Sequence, residues 1–139
     1  MKTMESHKQI EDHLIEALLV AVPACQAIYR FGSWGTSAEN PESDIDVAIL
    51  PLHPLEALRQ WEVAQLLASR VGRDVDLIDL LSAPTVLRMQ IIAHGERLYC
   101  VDRFAIEHFE DVVFSSYARL NEERRNILDD IRQRGRIYD

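Results

Sequence analysis

Cysteine is scarce in this chain. Cys25 and Cys100 are the only two in 139 residues, too few for a disulfide framework. Both lie in apolar surroundings and are expected to be buried free thiols. Long apolar runs are missing as well. None approaches the ~18 residues that span a bilayer, so no membrane contact is expected. The N-terminus, Met1 to His7, carries no apolar signal region, and the expected location is cytoplasmic. There are no repeats, low-complexity runs or linker-like stretches. Basic residues are outnumbered: 15 Lys and Arg face 23 Asp and Glu, a formal net charge of -8. Such a chain has no electrostatic footprint for sequence-independent nucleic-acid binding. Direct binding of DNA or RNA is therefore not expected. A nucleotide is a different matter, because carboxylates can hold one through divalent cations.

What is present is the composition of a globular domain, with 47% hydrophobic and 27% charged residues. The length fits one domain over residues 1–139. A first helix is predicted from Ser6 to Val22. Ser6 and Gln9 form a capping-box pattern, and Ile10, Leu14, Ala17, Leu18 and Ala21 recur at helical spacing. Pro23 closes that segment. Cys25 to Phe31 reads as a short buried strand, followed by a loop dense in turn residues. Asp44 to Leu50 is a second strand. Pro54 to Val71 is a helix with Pro54 in its first turn and Gly72 just past its end. Val75 to Leu80 is a third strand. Pro84 to His94 is a helix, capped by Ser82 in front and Gly95 behind. Glu96 to Val101 is a fourth strand, and the chain is helical from Asp102 nearly to its end. The pattern is a small α/β or α+β domain: a mixed sheet with packed helices and a long C-terminal helix. Only Gly72-Arg73 offers a turn short enough for a tight hairpin. The strand order is not legible.

The chemistry lies around the first loop. Asp44 and Asp46 are two apart on a strand, so both carboxylates point the same way while Ile45, Val47 and Ile49 face a core. The two carboxylates, ~7 Å apart along the strand, repel when ionised, and a cation between them removes that repulsion. Oxygen donors of this kind suit Mg²⁺, which keeps open positions for phosphate oxygens and water. Gly32 and Ser33 directly follow a strand. Glycine lets backbone approach a ligand closely, and Ser33 adds a hydroxyl beside backbone N–H groups. An Asp-x-Asp pair alone is more often a solvated strand end than a metal site. A Gly-Ser turn alone says almost nothing. Their combination is specific, because spacing, strand placement and Ser43 before Asp44 agree.

Gly32-Ser33, ten intervening residues, then Asp44-Ile45-Asp46 resembles the signature of the DNA polymerase β-like nucleotidyltransferase superfamily. From about Ile10 to about Asp130 the chain is similar to the minimal nucleotidyltransferases, in particular the MntA-type antitoxins encoded beside HEPN-domain toxins of the HepT type. The run Asp74 to Leu80 resembles the family's later strand with its third carboxylate. Ile91 to Tyr99 resembles its helix-Gly-strand segment. Asp74, Asp76 and Asp79 compete for the third carboxylate. Asp76 matches the family position inside an otherwise apolar strand, where an unpartnered charge would be costly. Asp74 starts the strand, and Asp79 lies on the opposite face, where it can cap the following turn.

The resemblance implies nucleotide binding by Gly32, Ser33, Asp44 and Asp46, and catalysis and metal binding by Asp44, Asp46 and Asp76. It implies two Mg²⁺ ions about 3.5–4 Å apart and ATP as substrate. The implied activity is transfer of AMP to a tyrosine of the cognate HEPN ribonuclease toxin, within a hetero-oligomer. Two other readings stand beside it: an antitoxin that blocks the toxin by contact alone, and transfer to a small molecule. The chain has no room for the extra substrate-binding domain usual in the latter.

The sequence departs from the family just after Gly32-Ser33. Many relatives carry arginines there, and this chain has Trp34, Gly35 and Thr36. Arg30 and Arg73 are the nearest arginines. Trp34 is either a stacking surface for a base or a partner, or an anchor for the loop. His7, His13, His53, His94 and His108 show no metal-ligand spacing, and His94 suits a helix C-terminus. In the extension 103–139, Ile106, Phe109, Val113, Leu120 and Ile127 recur near heptad spacing. Arg124, Arg125, Arg132, Arg134 and Arg136 cluster late. This is either a helix packed on its own domain or one whose far end meets a partner.

Overall fold

The structure is a computed structural model that describes residues 2–36, 39 and 44–138. Its elements run α1 (Lys2–Ala21), β1 (Ala27–Phe31), β2 (Ile45–Leu50), α2 (Ala57–Val71), β3 (Val75–Asp79), α3 (Thr85–His94), β4 (Glu96–Cys100) and α4 (Arg103–Tyr138). All eight elements read from the sequence form, in order. Their boundaries correct several cap assignments. α1 begins at Lys2, so Ser6 lies inside the helix and does not cap it. α2 begins at Ala57 with Glu56 at its N-cap, leaving Pro54 ahead of the first turn. Ser82 does not cap α3. Pro84 stands at that N-cap, and the Ser82 hydroxyl turns back to donate to the Asp79 carboxylate at 3.3 Å, a charged and stronger acceptor.

The four strands form one mixed sheet in the order β3-β2-β1-β4. β1 is antiparallel to both β2 and β4, and β2 is parallel to β3. The antiparallel β1/β2 pair is joined through the long first loop. Gly72-Arg73 makes no hairpin; it leads from α2 into β3. Gly72 ends α2 with φ 73°, its N–H donating to Ala68 O. That is the left-handed cap for which glycine is favoured.

Strand alternation gives the sheet two apolar faces. On one, Ile28, Ile45, Val47, Ile49 and Leu77 pack against Leu14 and Leu18 of α1 and Val63 and Leu67 of α2. On the other, Ala27, Tyr29, Ala48 and Leu50 meet Ile91 of α3 and Ile106 of α4. Each fully buried aliphatic side chain contributes roughly 1.5–3 kcal/mol. Helices therefore cover both faces, and the parallel β2/β3 pair is connected by α2. Cys25 is buried and Cys100 half-buried, both as free thiols. Among the described residues no helix is long and apolar enough to cross a membrane.

The second face fixes where chemistry can occur. Ala48 and Leu50 are buried on it, whereas Asp46, two residues earlier on the same face, is half-buried and Asp44 is exposed. The carboxylates thus lie at the end of the sheet where burial on this face gives out.

Candidate functional site

Asp46 stands beside Asp76 in the parallel pairing of β2 with β3, and beside Phe31 in the antiparallel pairing with β1. Neighbouring strands are about 4.8 Å apart, so one end of the sheet carries Asp76, Asp46 and the start of the Gly32 turn in adjacent columns. Burial raises the pKa of Asp46, and the charges of Asp76 and Asp44 raise it further. Among the described residues no lysine, arginine or histidine forms an ion pair with any of the three. Nor are three or more His, Cys, Asp or Glu side chains gathered tightly enough there to enclose a metal ion. The site is a set of carboxylates sharing one electrostatic field, with Asp44 and Asp76 exposed. That donor set fits a hard divalent cation, which would relieve the repulsion raising the Asp46 pKa.

Of the three candidates for the third carboxylate, only Asp76 stands directly beside Asp46 in the register of β2 and β3. Asp79 is 2% exposed. Its oxygens accept from Leu55 N at 2.8 Å, Leu81 N at 2.9 Å and the Ser82 hydroxyl, so it fixes the connections around β3. Asp74 is exposed before the strand, and its carbonyl accepts from Ile45 N at 2.9 Å.

Gly32 opens the loop at φ 74°, and a β-carbon there would lie 2.0 Å from Asp46 Oδ2. Backbone and carboxylate are therefore packed together, as glycine alone permits. The Ser33 carbonyl accepts from the Thr36 N–H at 3.0 Å and its hydroxyl at 2.6 Å, closing a turn. Gly35 N–H donates to Glu39 Oε1 at 2.7 Å. Gly35 also has a left-handed φ of 82°, with Arg30 directly against it. Ser43, which strengthened the sequence pattern, lies outside the described residues.

Trp34 is fully buried among α1 and sheet residues. The His7 ring meets it edge-on at 5.2 Å, and the Arg30 guanidinium lies 5.7 Å from its ring centre. It anchors the loop; the alternative of stacking on a base or partner is ruled out by that burial. Arg30 is held beneath the loop by ion pairs with Glu96 and, at 3.7 Å, Glu11. Arg73 reaches Glu39 at 4.0 Å. Neither arginine stands in for those missing after Gly32-Ser33.

A hollow of about 540 Å³ opens beside Gly32, lined by Phe31, Leu87, Gln90, Ile91 and His94 among others. The sequence pattern carries no sign of Gln90 or Leu87 here and marks His94 only as a helix-end residue. The missing signal is tertiary, since α3 lines a hollow only through its packing over β1.

A glycine turn packed on one carboxylate, with a second beside it across a parallel strand pair in an α/β fold, is the arrangement expected of a nucleotidyltransferase. The chain belongs to the polymerase β nucleotidyltransferase family: residues 13–104 match the model described as polymerase beta, nucleotidyltransferase. It is 40% identical over 121 residues to the protein adenylyltransferase MntA of Shewanella oneidensis, covering 87% of this chain and 86% of that protein. A crystal structure of a toxin–antitoxin with AMP-PNP contains a chain that superposes with a TM-score of 0.79 at 40% identity, covering 87% of this chain and 97% of that one. A chain in a structure of the tri-AMPylated Shewanella oneidensis HEPN toxin with its MNT antitoxin has a TM-score of 0.76 at 39% identity, covering 89% and 97%.

Proposed function

We propose that this chain is an antitoxin that acts as an enzyme, transferring AMP from ATP to a tyrosine of a cognate HEPN-type ribonuclease toxin. The observation that carries this is the side-by-side register of Asp46 and Asp76, with Asp44 in the same field and Gly32 against Asp46. It is supported by similarity to a protein adenylyltransferase and to antitoxin chains in complexes with HEPN toxins. The chain works as one domain, with 103–139 as a helical extension, in the cytoplasm and in a hetero-oligomer with the toxin.

Asp44, Asp46 and Asp76 would hold Mg²⁺, which when bound supplies positive charge against the triphosphate. Gly32 gives the phosphates close access to the backbone, and Ser33 offers them a hydroxyl. Asp76, outermost of the carboxylates, accepts the proton of the tyrosine hydroxyl. That oxygen bonds to the α-phosphorus, the bond from the α-phosphorus to the bridging oxygen breaks, and pyrophosphate leaves. The attached AMP adds bulk and negative charge to the toxin and hinders RNA binding.

The test is to incubate the protein with the toxin, Mg²⁺ and ATP and to weigh the toxin by intact mass spectrometry. Mass gains in AMP units, lost in the Asp44→Ala/Asp46→Ala variant, are expected. A toxin neutralised without mass gain would overturn the enzymatic reading in favour of blocking by contact. The engagement of Arg30 by Glu96 and Glu11, which leaves the loop without a triphosphate-binding arginine, is what favours that second reading.

A further inference from the structure

The hollow of about 540 Å³ beside Gly32 lies on the same sheet face as the carboxylates. Phe31, in its lining, is the register partner of Asp46, and residues directly opposite on paired strands point to one face. Ile91 of α3 packs on that face with Ala48 and Leu50. The hollow borders Gly32, whose backbone lies against the Asp46 carboxylate. The end of α3 is seated tightly here. A β-carbon at Gly95 would stand 2.5 Å from the Arg30 carbonyl oxygen and 3.4 Å from Phe31 Cβ, so the helix end rests on the last residues of β1. The hollow beside Trp61, between α2 and β3, opens on the opposite face.

Leu87, Gln90, Ile91 and His94 fall at i, i+3, i+4 and i+7, one face of α3. That face brings two aliphatic side chains, one amide and one imidazole to the hollow, and β1 adds Phe31. Among the described residues no aspartate, glutamate, lysine or arginine lines it. Such a lining suits a neutral ring with a few polar edge atoms, and not a further phosphate or an acidic peptide. A smaller hollow of about 210 Å³ that also touches Gly32 is lined by the Arg30 and Glu96 ion pair, a poorer match for a neutral ring. The Gln90 amide holds an acceptor and a donor side by side. Adenine offers the complement, its amino group next to a ring nitrogen. Guanine carries an extra amino group that calls for a further acceptor, such as a carboxylate, and the lining side chains include none.

We propose that this hollow receives the base of the nucleotide and that Gln90 selects adenine. Its amide pairs with the adenine amino group and the adjacent ring nitrogen, while Phe31 and Leu87 cover the ring. The inference rests on the AMP-transfer reading only for a nucleotide being bound with its phosphates at Gly32. A base joined through ribose to those phosphates has to lie close to Gly32, and this is the neutral hollow that borders Gly32 on the carboxylate face.

The test compares the wild type with Gln90→Leu and Gln90→Glu. Gln90 is exposed, so melting temperatures without ligand are expected to stay near that of the wild type. Calorimetry with Mg²⁺ and either AMP-PNP or GMP-PNP reads the base, and tripolyphosphate reads the phosphate site alone. The wild type is expected to bind AMP-PNP about tenfold or more tighter than GMP-PNP. In Gln90→Leu that ratio is expected to fall to about one, with tripolyphosphate affinity unchanged. In Gln90→Glu the preference is expected to move toward GMP-PNP, because a carboxylate accepts from both guanine N–H groups. AMP transfer by Gln90→Leu is expected to show a raised KM for ATP and an unchanged KM for the toxin. Equal binding of the two analogues by the wild type, or a preference kept in Gln90→Leu, would overturn the proposal. So would weaker toxin binding by Gln90→Leu with AMP-PNP affinity intact, which would give the hollow to the acceptor protein. A wild-type chain that selects AMP-PNP, loses that selectivity in Gln90→Leu and yet leaves the toxin's mass unchanged sinks the AMP-transfer reading and leaves the base site standing.

Discussion

The backbone of Gly32 lies directly against the carboxylate of Asp46: a β-carbon at Gly32 would stand 2.0 Å from Oδ2 and 2.9 Å from Cγ. Gly72 has nearly the same φ, 73° against 74°, but open space where its β-carbon would be. The two glycines separate backbone strain from collision. Gly32→Ala and Gly72→Ala each carry a left-handed penalty of roughly 1–2 kcal/mol. Only Gly32→Ala also displaces the Asp46 carboxylate. AMP transfer is expected to drop at least a hundredfold, about 2.7 kcal/mol, in Gly32→Ala and to stay within twofold in Gly72→Ala. Melting curves and initial rates on both variants check this. Equal activity in the two would show that contact with Asp46 is not what Gly32 is needed for.

Asp46 is held against its own preference. Burial and the neighbouring charges of Asp76 and Asp44 raise its pKa in the fold. A raised carboxylate favours the protonated folded state, so its contribution is fully present below the ordinary aspartate range and is lost as pH rises through the raised value. Asp46→Asn avoids that loss. At neutral pH without divalent ions the variant is expected to be more stable by up to about 1 kcal/mol, or roughly 3 °C. The gain should fade on acidification. Added Mg²⁺ should raise the melting temperature of the wild type and leave the variant unmoved. A variant that melts lower than the wild type at neutral pH without metal would contradict the repulsion.

Much of this was legible in the sequence because it is local. The alternation from Asp44 to Leu50 states which side chains face the core and which face the site, and Gly72 marks the end of α2 by its own conformation. Strand order was not legible, because nothing local says that β1 lies between β2 and β4 while β3 joins β2 in parallel. Trp34 was ambiguous for the same reason. Its burial depends on α1, including His7, far away in the chain. Asp76 could be preferred over Asp79 by family resemblance, but the three donors that occupy Asp79 come partly from Leu55, on the far side of α2 in sequence. The hollows lined by Gln90 and Trp61 exist only once helices are packed on strands.

The loop after Gly32 is clipped by Glu39, which accepts from Gly35 N–H at 2.7 Å and pairs with His7 at 3.0 Å. The Gly35 hydrogen bond, followed by His7, lowers the Glu39 pKa. A lowered carboxylate contributes stability above the ordinary glutamate range and loses it as pH falls through the lowered value. Below that value the clip opens. Trp34 reports it, since the loop it anchors carries Gly35. In a Trp61→Phe background the Trp34 emission is expected to stay blue through the ordinary glutamate range and to shift red only below it, as Glu39 protonates. Glu39→Gln should show the red-shifted loop at every pH. A blue spectrum in that variant would remove Glu39 as the clip.

Among the described residues, α4 is fastened to the rest of the fold near its N-terminal end. Tyr29, buried in β1, donates its hydroxyl to Glu110 Oε2 at 2.6 Å. Arg97 of β4 donates to the same oxygen at 3.2 Å. Two strands thus meet one carboxylate on α4. Tyr29→Phe removes a hydrogen bond to a charged acceptor and is expected to cost about 1.5–3 kcal/mol, seen as a lower urea midpoint. From Glu122 to Arg134 every residue is exposed, including Ile127, Leu128 and Ile131. Truncation after Glu123 is therefore expected to change stability by no more than about 0.5 kcal/mol. The exposed apolar residues of the removed segment suit a partner, and the truncated chain is expected to bind the toxin more weakly. If affinity and solubility both match the full chain, the far end of α4 has no partner. If instead the truncation destabilises the domain as much as Tyr29→Phe does, the far end is part of the fold.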